Sequence, residues 1–427
     1  MLILIAGAST VLTFSSRAGA AAKGKLTLAW HAGFASRWLD PQEHDGTATP
    51  DNFFTAIHDA LIKNQGTQLF DHPALAERFT IAPDSKSATF TLRKGPKFHN
   101  GDPVTPQDVK FSYENYRGSK ADVFKKKTER VEIVDDRTVR FVFKEPFLDF
   151  AILFGTANVA GPAWVVPEKY YKQVGPDAFK QKPVGAGPYK LVRHEPGVKV
   201  EMEAFDGYYR PVNVKQLVMI SVPEAATRVA MLERGEADII YNVPGELINK
   251  VGKLPGVTLA PVLSGSFFVE FPGFQDPKNP FRDKRVREAI SKAIDRDAIV
   301  ARIMGGVAVA AGEMLPPGMF GANHDAKAPK ADPDGAKKLL ASAGYPNGFA
   351  LVLATPNDRY INDALIAQAV AQMLTRVGLK VSLDAMTQST FFAKRNRREF
   401  GFWLAGWGSD SGEMSSPLRS LLATPSK

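Results

Sequence analysis

Short segments in which apolar and polar residues alternate predict β-strands along most of this chain. In residues 88–92, Phe90 and Leu92 fall on one face because strand side chains alternate with a period of two. We expect the other strands at residues 25–29, 189–192, 198–203, 237–241, 267–271, 351–353, 380–384 and 403–406, with a two-stranded hairpin within 131–143. Glycine- and proline-rich turns separate these segments.

Apolar residues spaced three and four apart predict helices between these strands. The helices cover residues 51–62, 224–234, 280–294 and 361–377. Two more helices have clear start signals, because Thr105 precedes Pro106 and Asp332 precedes Pro333, which places a capping side chain before a proline at the first helical position. The alternation of strands and helices predicts mixed sheets flanked by helices.

The segment from Ala74 to Arg117 is the most densely patterned part of the chain. It is interpreted as the end of a helix, the strand at 88–92, a tight loop at Asn100-Gly101 and a second helix. It contains no nucleophile–base pair, no metal-ligand spacing and no phosphate-binding loop. A well-specified scaffold without reactive groups suggests a protein that holds a ligand.

Three long segments resemble one known family. They are LAERFTIAPDSKSATFTLRKGPKFHNGDPVTPQDVKFSYE, VGAGPYKLVRHEPGVKVEMEAFDGYYR and FVEFPGFQDPKNPFRDKRVREAISKAIDRDAIV. All three are similar to stretches of the family 5 extracellular solute-binding proteins, which are the oligopeptide-, dipeptide- and nickel-binding components of ABC importers. The resemblance covers most of the chain after its first residues.

The resemblance implies an α/β fold of the periplasmic-binding-protein type, type II and similar to cluster C. It has two lobes and an extra α+β subdomain inserted in the first lobe. We expect a signal peptide at residues 1–20, the sheet domain of lobe I at 21–55 and 186–266, the insert at 56–185 and lobe II at 267–427. Family members continue beyond the position of Lys427, so we expect lobe II to be incomplete at its C-terminus.

Net charge and cysteine content narrow the class of protein further. The 427 residues include 54 Lys and Arg against 45 Asp and Glu, a formal net charge of +9. The basic residues are scattered and no aromatic residues interleave with them, so we expect no binding to nucleic acid. The chain has no cysteine, which excludes disulfides and a lipid anchor at the signal cleavage site.

The N-terminus predicts export. Leu2 to Phe14 forms an apolar stretch too short to span a bilayer, and Ala18-Gly19-Ala20 supplies the small residues of a cleavage site. An exported protein without an anchor is retained when an outer membrane encloses it. We therefore expect a soluble periplasmic monomer that meets ABC permease subunits at the inner membrane.

The loop after the last predicted strand is the first candidate ligand site. Trp407 and Gly408 precede Asp410, which supplies an apolar wall, close backbone approach and a carboxylate that can pair with an ammonium group. The resemblance implies that Asp410 matches the family's aspartate that pairs with the α-amino group of a peptide. The alternatives are a turn-capping role for Asp410 and a core role for Trp407.

Two further segments are candidates for ligand contact. The loop Asp45-Gly46-Thr47 follows the Leu39-Asp40-Pro41 element, and the resemblance implies that it lies against the ligand's backbone; a plain turn is an equal interpretation. Phe268, Val269 and Glu270 belong to a predicted strand whose edge could pair with an extended peptide through main-chain hydrogen bonds. An ordinary core strand explains that pattern equally well.

Enzyme functions have no support in the sequence. The seven histidines form no HExxH motif and no pair spaced four apart, and no GxSxG elbow is present. The Gly-rich turn at 184–188 lacks the Lys-Ser/Thr pair of a phosphate loop. We expect no catalytic residues, no cofactor and no metal site, while a metal-chelate ligand could use His44 or His194.

These observations favour the substrate-binding protein of an ABC importer, which closes its two lobes around a peptide and delivers it to the permease. The first alternative is a binder of another solute on the same scaffold, such as a nickel chelate, an opine or a sugar. The alternative from another class is a periplasmic hydrolase or a chaperone-like protein.

Overall fold

The structure is a computed structural model that describes residues 22–31, 34, 39–43, 55–65, 68–118, 120–155, 161–260, 265–272, 276–315, 321–323, 325–407, 414 and 418–422. The predicted signal peptide lies outside these residues, as do Asp45, Gly46, Thr47, Gly408 and Asp410. None of the helices within the described ranges has the length and apolar character needed to cross a membrane.

The strands of the described residues are introduced here in chain order. They are β1 (Lys23–Trp30), β2 (Ile62–Gln65), β3 (Gln68–Pro73), β4 (Ala76–Ile81), β5 (Ser87–Leu92), β6 (Thr128–Ile133), β7 (Thr138–Phe143), β8 (Tyr189–Glu195), β9 (Lys199–Ala204), β10 (Val214–Ser221), β11 (Ile239–Ile240), β12 (Ser266–Glu270), β13 (Ala350–Pro356), β14 (Lys380–Met386) and β15 (Trp403–Trp407).

The helices follow the same order. They are α1 (Pro106–Asn115), α2 (Ala121–Lys127), α3 (Phe150–Phe154), α4 (Glu168–Gln181), α5 (Ala225–Glu233), α6 (Gly245–Val251), α7 (Lys284–Ala293), α8 (Arg296–Arg302), α9 (Pro333–Ser342), α10 (Asp363–Arg376) and α11 (Gln388–Asn396). A 3₁₀ turn at Pro280–Arg282 precedes α7, and a π-helical turn covers Leu418–Leu422.

The first large sheet has the strand order β11-β1-β10-β9-β8. Strand β1 runs parallel to both β10 and β11, while β9 pairs antiparallel with β10 and β8. A second, antiparallel sheet of order β4-β5-β7-β6 shares one hydrophobic core with it, because Trp30 and Val200 belong to the same buried cluster as Phe90 and Phe141. We call these two sheets and their helices the first lobe.

A separate core surrounds the sheet β12-β15-β13-β14. On one face of this sheet, helices α7, α9 and α10 contribute buried residues such as Ile290, Leu340 and Val370. On the other face, Phe391 of α11 packs against Trp403 and Ala405 of β15. We call this body the second lobe, and the exact residue boundaries of the lobes and the insert stay a prediction.

Local sequence signals explain several of these elements. Thr105 caps α1 as predicted, and Asp108 completes a capping box because its side chain accepts from the Thr105 backbone N–H at 2.9 Å. Asp332 caps α9 with Pro333 at its first position. The predicted β-α-β unit of the second lobe is confirmed by the parallel pairing of β13 with β14 around α10.

Three local predictions were wrong. Ile62 begins strand β2 instead of ending the helix predicted at 51–62, and only 55–57 of the described part of that segment are helical. Residues 76–81 form strand β4 instead of a helix end, since they pair with β5. The predicted buried strand at 237–241 is a two-residue bridge at the sheet edge, where Ile239 is 43% exposed.

The buried His58 and the half-buried His99 lie against the backbone of the first lobe, at residue 39 and at residues 185–187 respectively. His99 contacts the Gly187 carbonyl oxygen through Nε2 at 3.0 Å, and the Gly185 N–H donates to His99 Nδ1 at 3.3 Å. His58 is fully buried, with Nε2 3.0 Å from the Leu39 carbonyl oxygen. The close packing requires glycine, because a Cβ on Gly185 would lie 2.0 Å from the backbone oxygen of Ile57. Burial lowers the pKa of His99 to about 4 and that of His58 to about 3.

Lowering the pH should therefore destabilise the protein through His58. Below about pH 6.5 the unfolded chain takes up a proton that the folded protein excludes, so stability falls by up to about 1.4 kcal/mol per pH unit. Urea unfolding at pH 7 and pH 5 tests this prediction. Between these pH values the free energy of unfolding of His58→Gln should fall by about 2 kcal/mol less than that of the original protein. An equal fall in the free energy of unfolding of both proteins would show that His58 does not cause this pH dependence.

Candidate functional site

The carboxyl ends of the parallel first-lobe strands carry an aromatic cluster. Trp30 ends β1, His31 follows it, and Tyr241 follows β11. Tyr241 stacks on Trp30 with ring centroids 4.3 Å apart and on His31 with centroids 5.4 Å apart. Trp30 is buried while Tyr241 is 40% exposed, so a rigid aromatic platform is presented at this edge of the sheet.

A buried arginine holds this edge in place. The Arg228 side chain donates to the carbonyl oxygens of Val222 at 2.7 Å, Pro223 at 2.8 Å and Asn242 at 2.6 Å. These carbonyls belong to the segments that follow β10 and β11. Arg228 therefore ties the two segments together and places a positive charge beneath the aromatic platform, where burial lowers its pKa.

In the second lobe, the corresponding position after β13 carries Arg359 and Tyr360. The Asp363 carboxylate accepts from the backbone N–H of Arg359 at 3.0 Å and of Tyr360 at 2.9 Å, which fixes the turn. The Tyr360 hydroxyl donates to the Gly406 carbonyl oxygen at 3.0 Å, and the Arg359 guanidinium lies 5.2 Å from the Tyr360 ring centre. These contacts hold the backbone of Arg359 and the Tyr360 ring beside its guanidinium in fixed positions.

The charge of Arg359 acts on groups of the first-lobe edge. Burial, with the charges of Arg359 and Arg228 acting in the same direction, lowers the pKa of His31 to about 4. Burial raises the pKa of Tyr241, while Arg359 acts against that rise. No carboxylate in the described ranges forms an ion pair with Arg359. A cation of the second lobe therefore faces a neutral histidine and a tyrosine of the first lobe, an arrangement that favours an anionic ligand group.

Unpaired buried nitrogens support a ligand site at these strand ends. The indole N–H groups of Trp30 and Trp407 and the Nδ1 atom of His31 are buried and make no hydrogen bond within the described residues. Because buried donors without partners are costly, they are commonly satisfied by a ligand or by ordered water. They lie at the carboxyl ends of β1 and β15, the edge at which α/β sheets bind ligands.

Strand β12 contains the predicted ligand residues Phe268, Val269 and Glu270. It pairs antiparallel with β15 on one side and, among the described strands, is the last strand of its sheet on the other. Val269 packs against the second-lobe core, which agrees with a structural role for its side chain. The free edge of β12 is compatible with the predicted pairing to an extended ligand, and that pairing stays a prediction.

The Glu270 carboxylate is already paired inside the second lobe. Arg395 of α11 donates to it at 3.3 Å, and the two side chains are 20% and 18% exposed. The same guanidinium lies 5.6 Å from the Trp403 ring centre and 5.9 Å from that of Trp407. Trp407 is thus held against Arg395 at the end of β15, immediately before the predicted ligand residues that lie outside the described part.

A buried carboxylate anchors the start of the other predicted ligand loop. Asp40 is fully buried and accepts from the Tyr171 hydroxyl at 2.8 Å, from the Gln42 N–H at 2.9 Å and from Arg117 at 3.4 Å. Burial raises its pKa against the effect of these donors. The network fixes residues 39–43 against α4, although Asp45, Gly46 and Thr47 themselves lie outside the described residues.

Sequence reasoning missed His31, Tyr241, Arg359 and Tyr360. A partial signal existed for two of them, since His31 lies two residues after the predicted strand at 25–29 and Tyr241 ends the predicted strand at 237–241, and carboxyl ends of parallel strands gather at one edge. Strand direction and sheet membership were needed to use that signal. The described residues contain no cluster of three or more His, Cys, Asp or Glu that could hold a metal ion.

Comparison with known proteins places this geometry in context. The profile of the bacterial extracellular solute-binding proteins, family 5, middle region, matches residues 72–427. The chain is 28% identical to heme-binding protein A of Haemophilus influenzae, over 86% of this chain and 72% of that protein. It is 27% identical to the dipeptide-binding protein of Escherichia coli, over 90% of this chain and 76% of that protein.

A solved structure agrees with the fold. The periplasmic binding protein AgaA from A. tumefacien R10, in complex with agropinic acid, matches with a TM-score of 0.74 and 28% identity. The match covers 91% of this chain and 78% of that one. The α/β, two-lobed architecture with an inserted subdomain is thereby confirmed as that of a periplasmic binding protein.

Proposed function

Because this chain belongs to the bacterial extracellular solute-binding proteins of family 5, we propose that it is the periplasmic substrate-binding protein of an ABC importer and that it captures a short peptide. The observation that carries the proposal is Arg359, a cation with no carboxylate partner among the described residues, whose charge acts on His31 and Tyr241 of the other lobe. A cation between two lobes suits a ligand that ends in a carboxylate. The dipeptide-binding protein of Escherichia coli provides a precedent for a peptide ligand on this scaffold.

The proposed ligand is held at three places. Arg359 takes the carboxylate, with the guanidinium oriented by its contact with Tyr360. The free edge of β12 pairs with the peptide main chain, which gives affinity without requiring a particular side chain. Asp410, three residues after the end of β15 in sequence, pairs with the amino group. A peptide with both termini free satisfies both charged groups at once.

Closure of the lobes follows from the separation of these groups. Arg359 and β12 belong to the second lobe, while His31 and Tyr241 belong to the first. A ligand that contacts both lobes stabilises the closed form by the sum of contacts that the open form lacks. The closed, loaded protein then docks on the permease subunits in the inner membrane as a monomer.

The proposal includes a periplasmic location without a lipid anchor and an absence of enzymatic activity. Export is supported by the apolar segment and small-residue site in residues 1–20. A binding role without catalysis is supported by the Arg359 environment, in which the charge of Arg359 acts on a neutral histidine and on two tyrosines with raised pKa values. None of these groups is a nucleophile activated by a base within the described residues.

A second candidate is an anionic solute other than a peptide. AgaA binds agropinic acid on the same fold, and an opine also offers a carboxylate to Arg359. The two candidates differ in the free amino group, which only Asp410 would recognise. A hydrolase or chaperone-like role has no specific observation in its favour.

Replacement of Asp410 by asparagine tests the peptide proposal. We expect calorimetry to show binding of dipeptides to the original protein and about tenfold weaker binding to Asp410→Asn, which keeps an acceptor but loses the charge. N-acetylated dipeptides should bind both proteins equally and weakly. Asp384, exposed on β14, gives a matched control in Asp384→Asn, which should bind as the original does. Binding of opines with no response to any peptide would favour the second candidate.

A further inference from the structure

Two glycines bring the backbones of the two lobes into direct contact. Gly245 opens α6, and a Cβ built on it would lie 2.5 Å from the Ile303 carbonyl oxygen and 2.8 Å from the Gly305 backbone nitrogen. A Cβ on Gly305 would lie 2.7 Å from the Gly245 carbonyl oxygen. Both obstructions are backbone atoms, which cannot rotate away as a side chain can. Only glycine at both positions permits this approach.

The two sides of the contact belong to different lobes. The segment that leads into α6 is tied to the first lobe, because Arg228 of α5 donates to the Asn242 carbonyl oxygen at 2.6 Å. A second tie joins α6 to α5, where Lys250 lies 2.7 Å from Glu233. The loop after α8 belongs to the second lobe, since Ile303 and Met304 pack in the core around its sheet.

Asn362 clamps the contact from the second lobe. Its side-chain amide donates to the Ile303 carbonyl oxygen at 2.8 Å and to the Glu246 carboxylate of α6 at 3.4 Å. The residue adopts a left-handed conformation with φ of 57°, which asparagine tolerates better than most residues. One amide group therefore bonds to a residue of each lobe at the point where their backbones meet.

The residues of this contact lie close in sequence to those of the candidate ligand site. Tyr241 precedes Gly245 by four residues on the first-lobe side, and Arg359 precedes Asn362 by three on the second-lobe side. Both pairs are joined by short segments whose ends are fixed by Arg228 and Asp363 respectively. The distance between the lobes at the glycines therefore sets the distance between Arg359 and the Tyr241 platform.

We propose that the contact of Gly245 with Ile303–Gly305, clamped by Asn362, is the stop at which the two lobes dock when the cleft closes, and that it positions Arg359 against the first-lobe aromatic platform. This inference rests on the proposed function for its ligand but not for its geometry. A methyl group at position 245 would hold the backbones about 1 Å further apart. Packed interfaces adopt discrete arrangements and do not deform continuously, so the closed arrangement would be lost and not merely loosened.

Spin labels measure the separation of the lobes directly. The chain has no cysteine, so Arg193→Cys on β8 and Asp334→Cys on α9 provide unique labelling sites, and both native side chains are largely exposed. In pulsed dipolar spectroscopy without ligand, Gly245→Ala should deplete the shortest-distance population. The matched control is Gly306→Ala, next to Gly305 on the second-lobe side of the contact, where an added Cβ finds no atom within 4 Å. The control should keep the short-distance population despite its strained φ of 79°.

Affinity provides a second, independent measurement. Gly245→Ala should bind a dipeptide such as Ala-Phe about tenfold more weakly, through faster dissociation, while its ligand-free melting temperature stays unchanged. A purely structural role would lower the melting temperature without changing the distance populations. Identical distance distributions for Gly245→Ala and Gly306→Ala without ligand would overturn the docking stop. Failure of the proposed function appears separately, as an absence of peptide binding to the unsubstituted protein.

Discussion

Replacement of Asp59 by alanine should destabilise the first lobe by about 3–5 kcal/mol, the usual cost of breaking a buried ion pair by removing one partner. The Asp59 carboxylate is fully buried and lies 2.7 Å from the Lys63 ammonium. It also accepts from the hydroxyls of Tyr209 at 2.8 Å and Tyr208 at 3.2 Å. These tyrosines follow β9, so one carboxylate joins the chain before β2 to the chain that returns from the inserted sheet. Urea unfolding measures the loss.

The comparison for Asp59 is an ion pair at the surface. Glu114 pairs with Lys110 on α1, but its side chain is 52% exposed, so Glu114→Ala should cost no more than about 0.5 kcal/mol. If Asp59→Ala fails to fold, Tyr209→Phe removes a single donor and should cost about 1 kcal/mol. A loss for Asp59→Ala no larger than that for Glu114→Ala would refute the role of the buried network.

Replacement of Arg359 by alanine should weaken binding of a dipeptide with a free carboxylate about 100-fold, or about 2.7 kcal/mol. The effect is large because the guanidinium has no carboxylate partner in the described part of the chain and is held on the Tyr360 ring. A ligand carboxylate would be its partner, in an environment already dry enough to lower the pKa of His31 to about 4. Isothermal titration calorimetry gives the two affinities.

Two controls separate recognition of charge from general damage. Arg397→Ala removes a surface guanidinium that pairs with Glu399, and its peptide affinity should match that of the original protein. Peptides with a C-terminal carboxamide should bind the original protein weakly and lose little further affinity in Arg359→Ala. An equal loss for carboxylate and carboxamide peptides would show that Arg359 does not bind the ligand's terminus.

Local structure was predictable wherever a short stretch of sequence determines it. The capped start of α1 at Thr105 and the hairpin formed by β8 and β9 both depend on neighbouring residues alone. Prediction was wrong at residues 76–81 and at Ile62. Their apolar residues suit a helix end equally well, and pairing with β5 and β3, which lie further along the chain, makes them strands.

Some residues of the candidate site could be found from the sequence, and others could be found only in the structure. Trp407 and Glu270 were singled out from the sequence as residues next to the ligand, and the structure adds that Arg395 contacts both. Arg359 was not singled out, because an arginine three residues beyond a strand resembles any solvated surface charge. Its candidate role in ligand binding depends on its interaction with His31 and Tyr241, which are more than 100 residues away in sequence.

The family, the α/β class and most of the elements could be predicted from short stretches of sequence, because capping residues, turn residues and apolar periodicity act over a few positions. Which strand ends lie together could not, since that depends on the parallel pairing of β1 with β10 and of β13 with β14. The tertiary structure also decided that Gly245 meets Gly305. A glycine in a sequence shows only that the backbone can adopt more conformations there. The folded chain shows which other backbone segment comes so close that a Cβ would not fit.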